Sequence, residues 1–420
     1  MKKSILIKGP ILTRSGYGEQ TRFLLRALKS REDLFDLYIQ PLSWGQTSWL
    51  FESDNERQWI DNCVEKTIAH LHHNNNNALF DASVQVTIPN EWSKIAPINI
   101  GYTAGIESTR IAGEWIIKSN EMDRIIVISN HSKYGFSESK YNAHNNVTNQ
   151  SVVLETTTPI DVVNYPAKKF EQTEDLPLNL EYDFNFLTIA QMGPRKNLLN
   201  TIKWFIEEFR DDEVGLVVKS NIAKNSLNDR RAQFNTLKQL ISSLGDHKCK
   251  VYLLHGDMTD KEMHALYVHP KVKSFLLLTH GEGYGLPTFE AVYTGLPTVT
   301  TGWSGQLDYL VDTDTGEDMF YNVAYDIQPI QDEAVWDGVL IKESMWAFPR
   351  EASAKHQMRK AYNNLSGKQA KKEIKKFKDY AAKTQEKFSS DKMYSQMVES
   401  VCSALGISSE KPAGQEILSF

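Results

Sequence analysis

Residues 280–302, HGEGYGLPTFEAVYTGLPTVTTG, form the segment of this 420-residue chain that decides its fold. An apolar run at 275–278 comes just before the segment and predicts a buried strand. The three glycines that follow leave their amides open to a ligand, because no Cβ stands in the way. Pro287 and Thr288 then favour the start of a helix. A strand, a glycine loop and a helix N-terminus together predict an anion-binding site.

Two carboxylates, Glu282 and Glu290, stand eight positions apart in this segment. One lies in the loop and the other on the first turns of the helix, so both can face the same ligand. Free amides suit a diphosphate, and carboxylates suit the hydroxyls of a sugar or a ribose. With G-[YF]-G-L-P between them and A-x-x-x-G-x-P after them, the pair resembles the E-x7-E motif of the retaining glycosyltransferases of family 4.

The resemblance implies the GT-B fold, in which two Rossmann-like α/β domains face a cleft and a C-terminal helix crosses back to the N-terminal domain. It also implies a metal-independent enzyme with no cofactor that retains the anomeric configuration of its donor, expected to be a UDP-sugar. In that family the glycine loop holds the donor sugar and diphosphate, and the second glutamate binds the ribose. Glu282 is then expected to position the sugar. The donor-binding residues expected in this segment are Gly283, Tyr284, Gly285, Leu286 and Glu290.

Length and composition indicate a soluble globular protein of two or three domains, with 41% hydrophobic and 24% charged residues. No apolar run approaches the roughly 18 residues needed to span a membrane. The start MKKSILIKGP has no long apolar core and no small-residue cleavage site, so it predicts a first β-strand and not a signal peptide. A net charge of −6 gives no general attraction to nucleic acid or anionic membranes.

The three cysteines, Cys63, Cys249 and Cys402, lie far apart, which disfavours both a disulfide framework and a zinc site. The sequence therefore predicts a protein of the reducing cytoplasm, which is the host cytoplasm if the chain is phage-encoded. Asp312 and Asp314 form a D-x-D triplet, which binds a metal in the other major glycosyltransferase fold. Such triplets often arise by chance, and this one stands in a polar turn, so we expect no metal site.

Short apolar strands alternate with helical stretches, a pattern typical of parallel, doubly wound sheets. A charged, aperiodic stretch after Pro166 predicts an interdomain linker, and 74–77 predicts a polar loop. The predicted strands fall in two series, 4–7, 84–88, 98–102 and 125–129, and then 185–190, 215–218, 251–254, 275–278 and 297–300.

The chain past Pro349 is predicted to be helical to about Leu405, with 393–405 as the helix that crosses back. Together these patterns predict two domains. The N-terminal, acceptor-side domain comprises residues 1–170 plus about 393–420, and the nucleotide-sugar-binding domain comprises residues 171–392.

Arg195 and Lys196 stand in QMGPRKNLL, directly after a predicted strand and before a helix. Family 4 enzymes commonly carry G-R-x-x-x-x-K-[GN] here, and the resemblance implies that these cations neutralise the charge that grows on the leaving diphosphate. Pro194 replaces the arginine that usually follows the glycine, which leaves open which cation contacts which phosphate. Lys219, after the strand predicted at 215–218, is a further expected cation of the cleft. Solvated charge at strand ends is the alternative.

Two further loops follow predicted strands. Thr259 predicts a helix N-cap, and the matching loop of the family packs against the nucleobase, so Met258 is expected to line that pocket unless this is a simple turn. Near the N-terminus, Gly16 and Gly18 supply the first two glycines of a dinucleotide fingerprint, but Thr21 replaces the third. No acidic residue on a following strand would clearly bind a ribose either, so the sequence does not indicate a dehydrogenase.

The loop of Gly16, Tyr17 and Gly18 instead resembles the first-strand glycine loop of GT-B enzymes, which reaches across the cleft to the donor phosphates. Glu107 follows the strand predicted at 98–102 and is expected to face the cleft, with a helix cap or a surface ion pair as the alternative. His131 is expected at the surface. The predicted catalytic group is Glu107, Arg195, Lys196 and Glu282.

The acceptor is predicted from a second resemblance. The segment EWSKIAPINIGYTAGIESTRI is similar to glycosyltransferases of tailed bacteriophages, some of which glycosylate hydroxymethylated pyrimidines in DNA. Residues 368–388 hold eight lysines beside an apolar stripe, which predicts an amphipathic helix whose basic face is either simply solvated or contacts phosphates. Trp44, Trp49 and Trp92 are expected near the cleft, where they could hold a flipped base.

Double-stranded DNA with modified bases is therefore the first predicted acceptor. Polysaccharide or protein glycosylation is the main alternative for an enzyme. A catalytically inactive GT-B module that binds a nucleotide sugar is the alternative of another class.

Overall fold

Two parallel six-stranded sheets follow one another along the chain in a computed structural model of the protein. The structure describes residues 2–45, 47–75, 79–145 and 149–410. Residues 76 and 77 of the predicted polar loop, and residues 411–420 of the predicted N-terminal domain, lie outside the described residues.

The N-terminal half contains eight strands and four helices in its described residues. The strands are β1 (Lys3–Gly9), β2 (Phe35–Pro41), β3 (Ala82–Val86), β4 (Ile98–Thr103), β5 (Arg124–Val127), β6 (Tyr141–Asn145), β7 (Gln150–Leu154) and β8 (Ile160–Val162). The helices are α1 (Gly16–Lys29), α2 (Asn55–His73), α3 (Gly113–Ser119) and α4 (Asn130–Glu138). The sheet has the parallel order β2–β1–β3–β4–β5–β8, and β6 and β7 form a separate antiparallel hairpin.

The C-terminal half repeats this plan. Its strands are β9 (Asn185–Ile189), β10 (Gly215–Lys219), β11 (Lys250–Leu254), β12 (Val272–Leu277), β13 (Thr298–Thr301), β14 (Tyr321–Val323), β15 (Tyr325–Pro329) and β16 (Met345–Pro349). Its helices are α5 (Leu198–Glu208), α6 (Leu227–Ser243), α7 (Asp260–Tyr267), α8 (Leu286–Tyr293), α9 (Leu307–Leu310), α10 (Glu351–Ser366), α11 (Ala370–Lys387) and α12 (Ser390–Leu405). The sheet order is β11–β10–β9–β12–β13–β14, and β15 pairs with β16 outside it.

Both sheets are parallel, and their strands are apolar because both faces of each sheet are covered by the rest of the protein. Ile5 and Ile7 of β1 are fully buried, as is Leu276 of β12. In α1, Phe23 and Leu24 lie in the same core cluster as these β1 residues, because the apolar positions of the helix recur on one side. No helix within the described residues is long and apolar enough to cross a lipid bilayer.

The last helix crosses back to the N-terminal half, as predicted. Met397 and Val401 of α12 are buried in the cluster that contains Phe23 of α1. The ring of Tyr394 stacks on Phe23 with centroids 6.0 Å apart, and Arg124 of β5 donates to the Ser403 hydroxyl at 2.9 Å. Helix α12 therefore packs against the N-terminal half, although it is the last helix of the C-terminal half.

Every predicted strand overlaps an observed one, and Thr259 caps α7 as predicted. The sequence patterns missed β2, β8 and β14, and they missed the two antiparallel hairpins. β14 has three residues, too few to show a period, and most of β7 is exposed and lacks an apolar face. The α/β doubly wound fold is nevertheless the one that the alternation predicted.

The C-terminal ends of the two parallel sheets face each other across a cleft. Loops after β1, β4, β9, β10, β11 and β12 supply residues to a cavity of about 1110 Å³. In open parallel sheets ligands bind at this edge, because the loops there are free to differ while the strands hold them in place. The cleft is the candidate site.

Candidate active site in the cleft

The loop after β12 presents free backbone amides to the cavity. Gly285 has a φ of 85°, a left-handed conformation that suits glycine, and it caps the N-terminus of α8. Within the described residues, the N–H groups of Gly283, Tyr284 and Gly285 donate to no other group. All three residues line the cavity. Unpaired amides at a helix N-terminus attract an anion.

Glu282 lies between two cations and is only 4% exposed. Lys196 donates to its Oε1 at 2.6 Å, and Arg195 Nη1 lies 3.1 Å from its Oε2. The Glu282 N–H donates to the Ser304 hydroxyl at 2.8 Å, and its carbonyl accepts from the Gly305 N–H at 3.0 Å. Both the side chain and the backbone of Glu282 are therefore fixed.

A short 3₁₀ helix, Pro194–Lys196, brings the two cations to this loop. Asn197 follows in a left-handed conformation with a φ of 50°, and its amide donates to the Leu278 carbonyl at 3.0 Å. The Arg195 carbonyl accepts from the His280 N–H at 2.9 Å. The R-K-N motif is thus tied by backbone and side chain to the end of β12.

Arg195 also reaches the N-terminal half. Its Nη2 lies 3.1 Å from Glu107 Oε1, and its Nη1 donates to the Gly281 carbonyl at 2.7 Å. The structure therefore gathers all four residues of the predicted catalytic group into one cluster. That cluster holds two carboxylates and two cations from both halves of the chain.

The cations determine the charge of Glu282. Burial raises the pKa of Glu282, but the charges of Lys196 and Arg195 outweigh burial and lower the pKa to about 2. Burial and the charge of Arg195 lower the pKa of Lys196, against the attraction of Glu282. Glu282 is consequently ionised at every pH near neutrality.

Glu290 has different surroundings on α8. The Tyr267 hydroxyl donates to its Oε2 at 2.8 Å. Burial raises the pKa of Glu290 to about 7, although the charge of Lys168 and the bond from Tyr267 lower it. Lys168 itself lies 3.2 Å from Glu19 in the N-terminal half and donates to Asp260 at 2.8 Å. Glu290 therefore titrates near neutral pH.

Two residues of the first-strand glycine loop line the cavity, and the third is needed for a tight turn. Gly16 and Tyr17 line the cavity, and the Tyr17 hydroxyl lies 2.8 Å from Thr103 Oγ1. A Cβ on Gly18 would lie 2.1 Å from the Thr13 carbonyl oxygen. Gly18 thus serves the tight turn before α1, and it is not among the described residues that line the cavity.

Two glycines of the Glu282 loop have a role that the sequence did not indicate. A Cβ on Gly281 would lie 2.2 Å from the Glu107 carbonyl oxygen, and one on Gly283 would lie 2.6 Å from the Ala104 carbonyl oxygen. The Ser129 hydroxyl donates to the Gly283 carbonyl at 2.6 Å. Glycine is needed here because the backbones of the two halves approach each other closely.

Cations from both halves hold the loop after β11. Lys219 donates to the Gly256 carbonyl, and Arg14 donates to the Met258 carbonyl at 2.8 Å and lies 3.6 Å from Asp257. Burial and the charge of Arg14 lower the pKa of Lys219, while Asp257 opposes them. Lys219 and Met258 both line the cavity, but the Lys219 amine is engaged with the Gly256 carbonyl.

The remaining predicted residues of the Glu282 loop differ in how they face the cavity. The Tyr284 ring is buried, with its centroid 5.2 Å from that of Tyr165 and 5.0 Å from that of Tyr309. Its side chain belongs mainly to the core, and the amide is the part free to bind. Leu286 packs at the edge of the same core and also lines the cavity.

Two aromatic expectations were wrong. His131 is partly buried rather than on the surface, because its ring packs against Trp303 with centroids 5.0 Å apart, and burial lowers its pKa to about 4. Trp92 is 1% exposed under Gly101 and cannot contact a ligand. Trp44 does line the cavity, whereas Trp49 is exposed outside it.

The carboxylates of the D-x-D triplet form ion pairs with a lysine on the basic face of α11. Lys383 lies 2.6 Å from the carboxylates of both Asp312 and Asp314. Other lysines of α11 also have carboxylate partners, Lys375 with Asp379 and Lys376 with Glu317. Apart from Asp314, these residues line a separate, open pocket of the C-terminal half. Among the described residues there is no cluster of three or more metal-ligating side chains.

Several residues of the site were not singled out from the sequence. Ser304, with a φ of 76°, stands behind Glu282 in a second glycine loop after β13, and the glycines around it in GWSG could have indicated that loop. Lys168 and Tyr267 lower the pKa of Glu290. Arg14 of the N-terminal half donates to the Met258 carbonyl of the C-terminal half. No sequence pattern connects Tyr267 with a carboxylate 23 residues away.

Solved glycosyltransferase structures resemble the fold over nearly its whole length. A glycosyltransferase from Rickettsia africae has a TM-score of 0.58 at 15% identity, covering 97% of this chain and 100% of its own. HepE of Anabaena, in complex with UDP-glucose, has a TM-score of 0.59 at 13% identity, covering 96% and 100%. The sucrose-phosphate synthase of Thermosynechococcus elongatus has a TM-score of 0.61 at 10% identity, with the same coverage.

No protein-family model matches the chain, and no curated protein matches it. At such low identities the structural similarity establishes the fold. It is the GT-B fold of two Rossmann-like domains that the sequence predicted.

Proposed function

We propose that the protein is a retaining, family 4-like glycosyltransferase that moves a sugar from a nucleotide-sugar donor to an acceptor hydroxyl. One observation carries the proposal. The free amides of Gly283, Tyr284 and Gly285 lie in the same cavity as the cations Arg195 and Lys196. Amides at a helix N-terminus beside two cations suit a diphosphate, and a cleft between two Rossmann-like domains suits a nucleotide.

In this proposal each part of the donor contacts a different group of cavity residues. The amides and the two cations hold the diphosphate, and Lys196 has two N–H donors left beyond the one given to Glu282. Glu282 and Glu107 position the sugar, Glu290 accepts from the ribose, and Lys219 and Met258 lie toward the base. From the N-terminal half, Gly16 and Tyr17 close over the phosphates.

The proposed reaction breaks the bond between the anomeric carbon and the diphosphate oxygen. The acceptor oxygen forms its new bond on the same face of the sugar, and its proton passes to the departing diphosphate. Arg195 and Lys196 stabilise the charge that grows on this leaving group, so no metal ion is required. Glu282, held as an anion by these cations, fixes the sugar for attack.

Two features favoured the DNA acceptor beside the resemblance to phage enzymes, and neither lies where it was expected. One was a basic face at 368–388, but lysines of α11 pair with carboxylates there and do not line the cleft cavity. The other was an aromatic group near the cleft that included Trp92, which is buried. Saccharide or protein acceptors, the alternatives from the sequence, therefore become the first to test.

The division into domains remains part of the proposal. Residues 1–170 with about 393–420 form the acceptor side and residues 171–392 the donor side, since α12 packs on α1 whereas α11 packs on α8. The proposed location is the cytoplasm, where the buried thiols of Cys63, Cys249 and Cys402 would stay reduced.

The deciding experiment incubates the protein with a panel of nucleotide sugars in EDTA, with and without acceptors, and measures released nucleotide. UDP-glucose comes first, because HepE, a protein of the same fold, was solved with it. Release from one donor supports an enzyme, and binding without any turnover identifies an inactive module. A strict need for manganese, or an inverted anomeric centre in the product by NMR, contradicts the proposed mechanism.

A further inference from the structure

A segment of the C-terminal half crosses to the N-terminal half beside the predicted catalytic group. It comprises residues 330–347, which we call the strap, and it runs from the residue after β15 into β16. β15 and β16 pair with each other outside the second sheet, so the strap is no part of that sheet. No residue of the strap is among the described residues that line the cavity. Any effect of the strap on the reaction must therefore act through other residues.

The tip of the strap is buried in the N-terminal half. Val339 is 6% exposed and belongs to an apolar cluster whose other buried members, within the described chain, lie between residues 88 and 136. The Gly338 carbonyl accepts from the Asn90 amide at 3.0 Å, and Asn90 in turn accepts from the Trp115 indole at 2.6 Å. The tip is therefore anchored by apolar burial as well as by a hydrogen bond.

The start of β16 is hydrogen-bonded to the loop that carries Glu107. The Thr109 N–H donates to the Met345 carbonyl at 2.9 Å, and the Met345 N–H donates to the Thr109 hydroxyl at 3.0 Å. The Ser344 hydroxyl donates to the Arg110 carbonyl at 3.2 Å. Because Thr109 stands two residues after Glu107, these bonds fix the loop close to that carboxylate.

The same strand also holds the loop that carries Glu282. The Ala347 N–H donates to the His280 carbonyl at 2.9 Å, and the His280 ring donates through Nδ1 to the Ala347 carbonyl at 2.7 Å. The ring stacks against Trp346, with centroids 5.3 Å apart. Because His280 stands two residues before Glu282, the strap fixes this loop close to its carboxylate as well.

A third contact joins the strap to the cations. The short 3₁₀ helix of the strap, Asp332–Ala334, packs against the helix Pro194–Lys196, which carries both of them. Arg195 in turn lies 3.1 Å from a carboxylate oxygen of each of Glu107 and Glu282. The strap thus contacts every segment that carries a member of the predicted catalytic group, in both halves of the chain.

The ion pair between Arg195 and Glu107 does not by itself hold the two halves together here. Their side chains are 27% and 28% exposed, and ion pairs that water reaches contribute little net free energy. The burial of Val339 and the backbone hydrogen bonds of the strap do not depend on that pair. The strap is therefore a firmer connection between the Glu107 loop and the C-terminal half than the ion pair is.

We propose that the strap is a positioning element for the reaction, which holds the Glu107 loop against the Glu282 loop and so keeps the Arg195 bridge assembled. The inference rests on the proposed function, because it concerns the residues that position the donor sugar. The free amides of the Glu282 loop, both cations and Glu290 belong to the C-terminal half. Release of the strap from the N-terminal half should therefore disturb turnover, to which Glu107 contributes, far more than donor binding.

The test releases the tip of the strap in the full-length protein. Val339→Asn places an amide in the apolar cluster, and Ile116→Val is the matched control, because Ile116 is fully buried in the same cluster on α3. We expect Val339→Asn to lower kcat for the hydrolysed donor about tenfold and to change the donor Kd by about twofold or less. The control should lower the urea midpoint without changing either constant.

A second pair of variants tests the bonds at the start of β16. Thr109→Val removes the hydroxyl that accepts from Met345, whereas Thr109→Ser keeps it. The value of kcat should fall about threefold in the first variant and return to that of the wild type in the second. Hydrogen exchange of the ligand-free protein gives a readout independent of turnover, because the Thr109 N–H donates to the strap. This amide should exchange faster in Val339→Asn than in the wild type or in Ile116→Val.

Three results would overturn the inference. One is a Val339→Asn protein that keeps the kcat of the wild type, with or without faster exchange at Thr109. Another is a donor Kd that rises as much as kcat falls, since the strap would then hold the whole cleft and not the Glu107 loop. The third is an equal loss of kcat in Ile116→Val. A wild-type protein that turns over no nucleotide sugar instead rejects the proposed function, and exchange at Thr109 then still shows whether the strap holds its loop.

Discussion

Glu282 and Glu290 are side chains of one type in one cavity, yet their surroundings give them opposite properties. Lys196 and Arg195 contact Glu282 and lower its pKa to about 2. Glu290 has a tyrosine hydroxyl as its hydrogen-bond partner, and burial raises its pKa to about 7. The loop carboxylate is therefore a permanent charge, whereas the helix carboxylate gains its charge only near neutral pH.

The difference teaches that the spacing of two glutamates defines a site but not the chemistry of each member. In Glu282 the attraction of the cations exceeds the cost of burial, and in Glu290 burial prevails. A charged group fixed in place suits a role in the reaction. A group that titrates near neutrality suits binding that depends on pH.

The largest effect is expected from removing the permanent charge. Glu282→Ala leaves Lys196 and Arg195 without their shared partner in a buried cluster, which should lower the free energy of unfolding by about 3 kcal/mol. Turnover should fall about 100-fold or more. Urea denaturation and donor turnover measure the two effects. The double variant Glu282→Ala, Lys196→Met should recover stability without turnover, and recovery of both would contradict the role of Glu282.

Acid should distinguish the two carboxylates by the sign of their effects on stability. The folded pKa of Glu282, about 2, lies below its ordinary 4.5, so its contribution is present above about 4.5 and is lost as pH falls toward 2. The loss amounts to roughly 3 kcal/mol. Urea midpoints from pH 7 to 3 should therefore fall more steeply for the wild type than for Glu282→Gln. Parallel curves for the two proteins would contradict the lowered pKa.

Glu290 should show the opposite slope and a pH-dependent affinity. Because its folded pKa of about 7 exceeds its ordinary 4.5, its effect on the free energy of unfolding becomes less favourable as pH rises from about 4.5 to 7. Between about pH 6 and 8 the folded carboxyl loses its proton, and as an anion it can accept a hydrogen bond from a ribose hydroxyl. We expect the donor Kd to fall up to about tenfold between pH 6 and 8. Calorimetry should show that the donor Kd of Glu290→Gln does not vary with pH over this range. If the Kd of this variant varies with pH as it does in the wild type, Glu290 is not part of the donor site.

The smallest effects should come from the neighbours of Glu290. Lys168→Met and Tyr267→Phe each remove an influence that lowers its pKa, so both should move the midpoint of the donor Kd profile to higher pH. The shift for Lys168→Met should be the larger, because its charge is the stronger of the two influences. Lys169→Met is the matched control, because Lys169 is exposed. A midpoint that moves equally in the control would show that the effect is not specific to Lys168.

The predicted cluster and the observed one coincide for a physical reason. Glu107, Arg195 and Glu282 each follow a strand of a parallel sheet, and the ends of such strands meet at one edge. The sequence could therefore place them in one cleft. It could not show that Arg195 bridges Glu107 and Glu282, because those distances depend on how closely Gly281 and Gly283 let the two halves approach.

Surface expectations failed where packing intervened. His131 and Trp92 carry polar or amphipathic side chains that a sequence pattern leaves free, but Trp303 and Gly101 cover them. The lysines of α11 formed a basic stripe in sequence, yet Asp312 and Asp314 come from a distant turn to neutralise Lys383. Long-range partners of this kind have no local signal.

By itself, the sequence determined the alternation of strands and helices, the glycine loop with its two glutamates, and the R-K-N cations. These features are local, because they depend on side-chain periodicity and backbone freedom over a few residues. Only the tertiary structure decided which of Glu282 and Glu290 is permanently charged. Charge and access depend on neighbours far apart in the chain, and folding alone brings those neighbours together.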